Sequence, residues 1–448
     1  MRTIIIILLI NFASNAWANN VVSGSEGGKL EGKVVSEFIS PWAMSFVNSD
    51  NLIITTKAGK LWIINRSGEK SLVSGVPKVF AGGQGGLGDV VLHPNFTKNR
   101  LVYISYINSD NAGKTRYATI IRGTLERLDK PQLKNIETIW KQTPARSGKG
   151  HFSHRIVFGL EGTQHARKIF ITSGDRQEQS PAQRWDMALG KIIRLNEDGT
   201  IPTDNPFQDK GDLAKTFWTL GHRNALGIAF GLDGTQHARK IFITSGDRQE
   251  QSPAQRWDMA LGKIIRLNED GTIPTDNPFQ DKGDLAKTFW TVGHRNALGI
   301  AFAKNGQLWA HEMGPRHGDE LNLIVAGKNY GWPVVSEGNH YSGAKIPVHE
   351  TRPEFMAPKL YWVPTVAPSG LIFYEGDEFT EWKGNAFIGG LKSKALVRIG
   401  FNNGEPYEAE RFSWSKRVRE VEIDNDGAIW VLEDGPSGRL IKFTKPNK

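Results

Sequence analysis

FITSGDRQEQSPAQRW occupies residues 170–185 and recurs, letter for letter, at 242–257. Extended outward, residues 159–230 and 231–302 agree at 70 of 72 positions, the exceptions being Glu161 against Asp233 and Leu220 against Val292. Divergence over long periods keeps a pattern and loses the letters, so the repeat reads as a recent tandem duplication or an assembly artefact. Each copy carries KIFITSGD and KIIRLNEDG, short β-branched and aromatic runs bounded by Gly, Asn and Asp, which are strand signals.

The same signals fill the rest of the chain, from NLIITTKAGKLWII and LVYISYI to DGAIWVLED and RLIKF. One hairpin pattern returns three times: Gly59-Lys60-Leu61-Trp62, Gly306-Gln307-Leu308-Trp309 and Gly427-Ala428-Ile429-Trp430. The glycine suits the positive φ of a tight hairpin, and the aliphatic–aromatic pair suits opposite faces of the next strand. Short antiparallel strands with a recurring hairpin predict an all-β fold, a β-propeller or sandwich array, and length favours the propeller. Without a leader and one copy, about 360 residues remain, roughly 60 for each of six four-stranded blades. The 72-residue repeat is then a blade with its connections. A crossover between IVFGLEG at 156–162 and IAFGLDG at 228–234 would insert it in register. Blades pack mainly on their neighbours, so such a unit disturbs little. Two outcomes follow: the ring opens to seven blades, or six close and the spare unit is displaced.

Residues 1–18 read as a secretory signal peptide, with Arg2, the apolar run IIIILLI at 4–10 and an Ala16-Trp17-Ala18 cleavage site. The expectation is an exported, periplasmic protein without a membrane span, whose residues 19–448 form a single propeller domain. The 448-residue chain has no cysteine, so stability rests on a core or bound metal rather than on disulfides. The net charge is +9, but each copy holds nine basic and nine acidic residues, so the excess lies elsewhere, partly in SKRVRE at 415–420. No basic run suggests nucleic acid; a small anionic ligand explains a local cluster equally well.

Polar residues that a hairpin does not need mark candidate site loops. Gln84 lies in GGQGGLGDVVLHPNF at 82–96, where dense glycine lets a backbone approach a ligand; a flexible turn explains it as well. His151, in GKGHFSHR at 148–155, suits removal of a hydroxyl proton. Asp175 in the SGDR loop would orient its ring. No G-x-S-x-G is present, which argues against a serine hydrolase. Arg295 and Asn296 in FWTVGHRNALG have twins in Arg223 and Asn224. His311, Glu312, His317, Asp319 and Glu320 crowd the segment 309–333; their spacing is not that of a helical zinc motif, and carboxylates with turn carbonyls suit calcium better. DNDG at 424–427 reads as a hairpin turn. Lys392, Arg417 and Arg419 would bind a compact polyanion if they converge, or form a solvated basic face if they do not.

Taken together, GGQGGLGDVVLHPNF, GKIIRLNEDGTIPTDNPF, GHRNALG, EMGPRHGDELN with GKNYGWP, and PTVAPSGLIFY at 364–374 resemble the soluble pyrroloquinoline quinone (PQQ)-dependent sugar dehydrogenases of the glucose/sorbosone dehydrogenase family. The resemblance runs from about SPWAMSF at 40–46 to the C-terminus. It implies a six-bladed propeller holding PQQ over its channel, with one extra blade-sized unit in this chain. It implies that His151 is the base for the sugar C1 hydroxyl and Asp175 its partner. Gln84, Arg295, Asn296, Tyr341, Thr365, Lys392, Arg417 and Arg419 are then quinone contacts. The carbonyls of Gly314 and Pro315 are ligands of an active-site calcium (Ca2+), and Glu320 with the Tyr330 carbonyl forms a further calcium site. The implied reaction is PQQ- and calcium-dependent oxidation of an aldose to its lactone, with an external electron acceptor and a monomeric or homodimeric enzyme. Ser153 and His154 depart from the small residues expected after His151, and His154 is placed to crowd the pocket. A calcium-dependent propeller lactonase, or a binding propeller silenced by the duplication, are the competing readings.

Overall fold

The computed structural model describes residues 20–163, 166–178, 180–222, 227–247 and 250–446. The leader at 1–18 and the pair Arg223 and Asn224 fall outside the described residues.

Seven antiparallel sheets succeed one another along the chain. Blade 1 spans Pro41–Phe46 to Lys70–Leu72, and blade 2 spans Leu87–Leu92 to Gln132–Lys141. Blade 3 consists of Ser153–Phe158, Lys168–Ser173, Lys191–Asn196 and Phe217–Leu220. Blade 4 consists of Ile228–Phe230, Lys240–Ser245, Lys263–Asn268 and Phe289–Val292. Blade 5 spans Ala297–Phe302 to Leu360–Trp362, and blade 6 spans Pro368–Phe373 to Glu405–Ser413. Blade 7 takes Arg417–Ile423, Ile429–Asp434 and Gly438–Thr444 from the C-terminus. The early strand Lys29–Phe38 completes it, pairing from Glu31 opposite Thr444 to Phe38 opposite Gly438. The two chain ends thus close one blade.

Of the two outcomes open from the sequence, the ring has seven blades. Each copy begins after one inner strand and ends with the next, so the repeat adds a whole blade. The registers agree: Lys168 opposite Asn196 through Ser173 opposite Lys191 in blade 3, and Lys240 opposite Asn268 through Ser245 opposite Lys263 in blade 4.

The core lies between blades. Phe170 packs on Trp218 and on Phe230 of the next blade, with ring centroids 5.5 and 5.6 Å apart. Phe242 repeats this one blade later with Trp290 and Phe302, at 5.7 and 5.5 Å. Within each copy a fully buried lysine pins the long loop after the second strand. Lys191 Nζ donates to the carbonyls of Pro181, Ala182 and Leu189 at 2.9, 3.0 and 2.8 Å, and Lys263 does the same for Pro253, Ala254 and Leu261. A buried ammonium is tolerated only when its donors are met, which is why the SPAQ segment curls back as a 3₁₀ turn. The three hairpin glycines carry φ of 97, 83 and 86° at Gly59, Gly306 and Gly427. DNDG is a hairpin turn: Asp424 Oδ1 accepts from Asp426 N and Ala428 N at 3.0 and 2.9 Å. Among the described residues no helix is long and apolar enough to cross a membrane.

Candidate active site at one mouth of the ring

Within a blade the first two strands are antiparallel neighbours, so the start of the first and the end of the second emerge at the same mouth. Gln84, His151, Arg295, Asn296, Thr365, Arg417 and Arg419 all lie at or just before inner strands. Asp175, Gly314, Pro315 and Lys392 follow second strands. The topology gathers them at one end.

Blades 2 and 3 supply an imidazole–carboxylate pair. His151 Nδ1 lies 2.9 Å from Oδ1 of the fully buried Asp175. With that carboxylate accepting the Nδ1 proton, Nε2 is the basic nitrogen of the ring. The His151 backbone sits at a φ of 49°, and its N–H donates to Gln84 Oε1 at 2.7 Å. Gln84 therefore meets the histidine backbone. His154 does not crowd the mouth: it is buried against Gly88, its Nδ1 2.7 Å from Ser105 Oγ, and burial lowers its pKa to about 4.

Blades 1 and 7 supply cations. Arg417 Nε and Arg419 share Asp434 Oδ2 at 2.8 and 3.0 Å. The Arg419 guanidinium lies 4.2 Å over the Trp42 ring, and Lys57 Nζ lies 5.1 Å from the same ring. Burial and the nearby Arg419 charge hold the Lys57 pKa below its ordinary value, opposed by Asp434. Among the described residues Arg419 Nε is buried without a hydrogen-bond partner. Three cations face one carboxylate, so this corner retains positive charge. Lys57 and Trp42 were not singled out in the sequence; their signal is position, since Lys57 directly follows the second strand of blade 1, as Asp175 follows that of blade 3.

Blade 5 is built around Glu312. Its Oε2 accepts from Arg295 N at 2.7 Å and Asn296 N at 3.2 Å, and Oε1 lies 2.9 Å from His294 Nδ1. Burial pushes the Glu312 pKa up, but His294 and the two backbone N–H groups outweigh it and hold the acid below its usual value. Arg295 donates to the Met313 carbonyl at 2.6 Å and to the Tyr341 hydroxyl at 3.1 Å. Tyr341 is 71% exposed, so it stands at the rim. Thr365 Oγ1 donates to Asp319 Oδ2, whose Oδ1 accepts from Gly314 N at 2.9 Å. Lys392 is exposed, and its backbone N–H donates to the Val366 carbonyl at 3.0 Å.

The expected calcium ligands lie in blade 5. A Cβ on Gly314 would lie 2.2 and 2.3 Å from the carbonyl oxygens of His317 and Gly318, so the loop folds closely on itself there. Of the second expected set, the Tyr330 carbonyl lies 3.1 Å from His349 Nε2, and Glu320 Oε2 accepts from Asn322 at 3.1 Å. Burial and the neighbouring Glu312 charge push the Glu320 pKa well above the carboxylate range. Among the described residues no three His, Asp or Glu side chains converge as a metal-ligand group.

A propeller with a histidine–aspartate pair, a cationic corner and a carbonyl-lined loop at one mouth is an arrangement for binding a compact anion beside a proton acceptor. The chain belongs to the glucose/sorbosone dehydrogenase family: the profile described as Glucose / Sorbosone dehydrogenase matches residues 38–239 and again 234–442. The break between the two matches falls at the start of the second copy, as a repeat requires. The chain is 32% identical over 416 residues to aldose sugar dehydrogenase YliI of Escherichia coli, covering 91% of this chain and 90% of that one. It is 27% identical over 491 residues to quinoprotein glucose dehydrogenase B of Acinetobacter calcoaceticus, covering 92% and 90%. The apo-form crystal structure of the soluble E. coli aldose sugar dehydrogenase aligns at a TM-score of 0.59 and 29% identity, covering 93% of this chain and 100% of that one.

Proposed function

We propose that this protein oxidises an aldose at its C1 hydroxyl to the lactone, with PQQ as redox cofactor and calcium beside it. The observation that carries the reading is the His151–Asp175 pair at the same mouth as the Lys57, Arg417 and Arg419 charges. A polycarboxylate quinone suits that corner, where among the described residues the buried Arg419 Nε lacks a partner, and family membership and the named quinoprotein relative agree. When bound, PQQ supplies the two-electron acceptor that no side chain here provides.

The chain's own residues do the rest. His151 Nε2 takes the proton of the sugar hydroxyl, and the imidazolium that forms is stabilised by Asp175. Gln84 fixes the histidine through its backbone N–H. Arg295, Arg417 and Arg419 bind and orient cofactor carboxylates, with Asn296, Thr365, Lys392 and Tyr341 as further contacts. Carbonyls of Gly314 and Pro315 hold the calcium beside the cofactor, and Glu320 with the Tyr330 carbonyl holds a further one. Export to the periplasm follows from the leader at 1–18.

The test adds PQQ and calcium to the purified chain beginning at Asn19 and follows aldose-dependent reduction of a redox dye. Turnover that needs both additions, and that falls by roughly a thousandfold or more in His151→Ala, is expected. Turnover that survives His151→Ala, or none with any aldose in either this chain or its single-copy deletion, would overturn the reading.

A further inference from the structure

The duplication leaves two SGDR aspartates in near-identical sequence but different surroundings. Asp175 meets His151 at 2.9 Å. Asp247, its twin, faces blade 5: its Oδ2 accepts the indole N–H of Trp332 at 2.7 Å, and its own N–H donates to the Arg295 carbonyl at 2.7 Å. The Arg295 guanidinium in turn lies 5.5 Å over the Trp332 ring. Nearby, Gln255 and Asn329 exchange hydrogen bonds at 2.7 and 3.0 Å, and Gln255 also donates to the Trp332 carbonyl at 2.7 Å. The second copy therefore grips blade 5, whereas the first holds the proton acceptor.

In a ring with one copy, the blade that holds the His151 strand would also directly precede the arginine at the Arg295 position (Arg223 in the chain lacking 231–302), because strand register is the same in both copies. One aspartate would then meet both partners, one on each oxygen. We propose that the two copies divide the work of that single carboxylate: Asp175 orients His151, and Asp247 is a positioning residue that fixes Arg295 through Trp332 and the Arg295 carbonyl. An indole N–H is a single donor, and here its acceptor is Asp247. A carboxylate oxygen accepting one N–H from each side holds two blades in fixed relation; split in two, it holds each half of the site but no longer ties them together.

The contact part of this inference is independent of the cofactor; its consequence for binding rests on the sugar dehydrogenase reading. The probe is the indole ¹⁵N–¹H resonance of Trp332 in tryptophan-labelled full-length chain, identified by its loss in Trp332→Phe. Asp247→Ala is expected to move it, Asp247→Asn, which keeps an acceptor oxygen, to move it less, and Asp175→Ala to leave it in place. Should Asp247→Ala not fold, Asp247→Asn carries the comparison. In the chain lacking 231–302, Asp175→Ala is expected to move the Trp332 resonance. A resonance indifferent to Asp247, or moved equally by Asp175→Ala in the full chain, overturns the division. A deletion chain in which Asp175→Ala leaves Trp332 unmoved, or which does not fold, overturns the derivation from one carboxylate. On the loaded enzyme, Asp247→Ala is expected to weaken PQQ binding, read by tryptophan fluorescence quenching, roughly tenfold, with the pH profile of kcat kept; Asp175→Ala is expected to change kcat and its pH profile with binding kept. Failure of PQQ to bind any of these chains overturns the functional reading and leaves the resonance result to decide the division.

Discussion

His151 is held at both ends. Its ring rests on Asp175, and its backbone, in the left-handed region at a φ of 49°, rests on Gln84. Such a conformation costs on the order of 1 kcal/mol or more in a non-glycine residue and persists only where neighbours enforce it. Gln84→Ala is therefore expected to lower kcat at least tenfold, by letting the imidazole drift, while the melting temperature changes little because the residue is exposed; kcat and thermal melting of the variant check this. A second residue-scale expectation concerns the axis of the ring, where inner-strand side chains of three blades meet. Asp89 lies 3.3 Å from Arg155, and Met44 N donates to Glu420 Oε2 at 2.9 Å. Burial raises the pKa of Glu420 to about 8 and of Glu422 to about 7, with Arg155 opposing. By surface area both are half-buried, and solvent at that exposure screens the effect. The folded chain keeps protons that the unfolded chain releases near the ordinary carboxylate value, so these groups erode stability as pH rises from about 5 to 8. Glu420→Gln is expected to melt with the parent at pH 5 and a few degrees above it at pH 8.5, read by calorimetry at the two pH values. At this scale the histidine and Asp175 were legible, each in a loop with more polarity than a hairpin needs. Lys57 and Asp434 were not, because a lone charge beside a turn looks like a solvated one until the ring bends it inward.

Identical elements with unlike neighbours measure what context adds to sequence. Gln255 is half-buried and bonded to Asn329 and Trp332, whereas Gln183, the same residue one blade earlier, is exposed. Likewise His294 Nδ1 meets Glu312 at 2.9 Å, while buried His222 Nδ1 has no partner among the described residues, and burial lowers the His222 pKa to about 3. Among the described residues, the seam between blades 4 and 5 thus carries side-chain hydrogen bonds that the seam between blades 3 and 4 does not repeat. Gln255→Ala is expected to cost about 1–2 kcal/mol and Gln183→Ala less than about 0.5 kcal/mol, a contrast that denaturant unfolding of the two variants checks. The strands themselves were legible because β-branched runs and hairpin glycines act locally. The seams were not, because identical letters cannot say which blade stands beside them.

For the ring as a whole, the added blade places His151 and Asp175 on blade 3 and Arg295 with Gly314 on blade 5, although a family site draws them around one small cofactor. The chain lacking 231–302 is expected to be at least as active as this one, since it returns the two halves to adjacent blades, with Arg223 and Asn224 in the places of Arg295 and Asn296. Aldose-dependent dye reduction by the two chains decides it, and a deletion chain without activity beside an active parent would show that the second copy is needed. The propeller was readable from strand spacing, but the number of blades was not: a displaced unit and a seventh blade require the same letters.

The shared last blade also sets a schedule. Lys29–Phe38 is made early and its partner Gly438–Thr444 last, with roughly 400 residues between them. At the usual pace of synthesis that is on the order of half a minute to a minute, during which one long strand edge waits unpaired, a state prone to wrong partners. The repeat lengthens the wait and supplies two interchangeable sets of strands meanwhile. A nascent chain halted before residue 438 would leave the ribosome with every internal blade encoded and no way to lock the circle, so yield in the cell depends on guarding that first strand until the last one arrives.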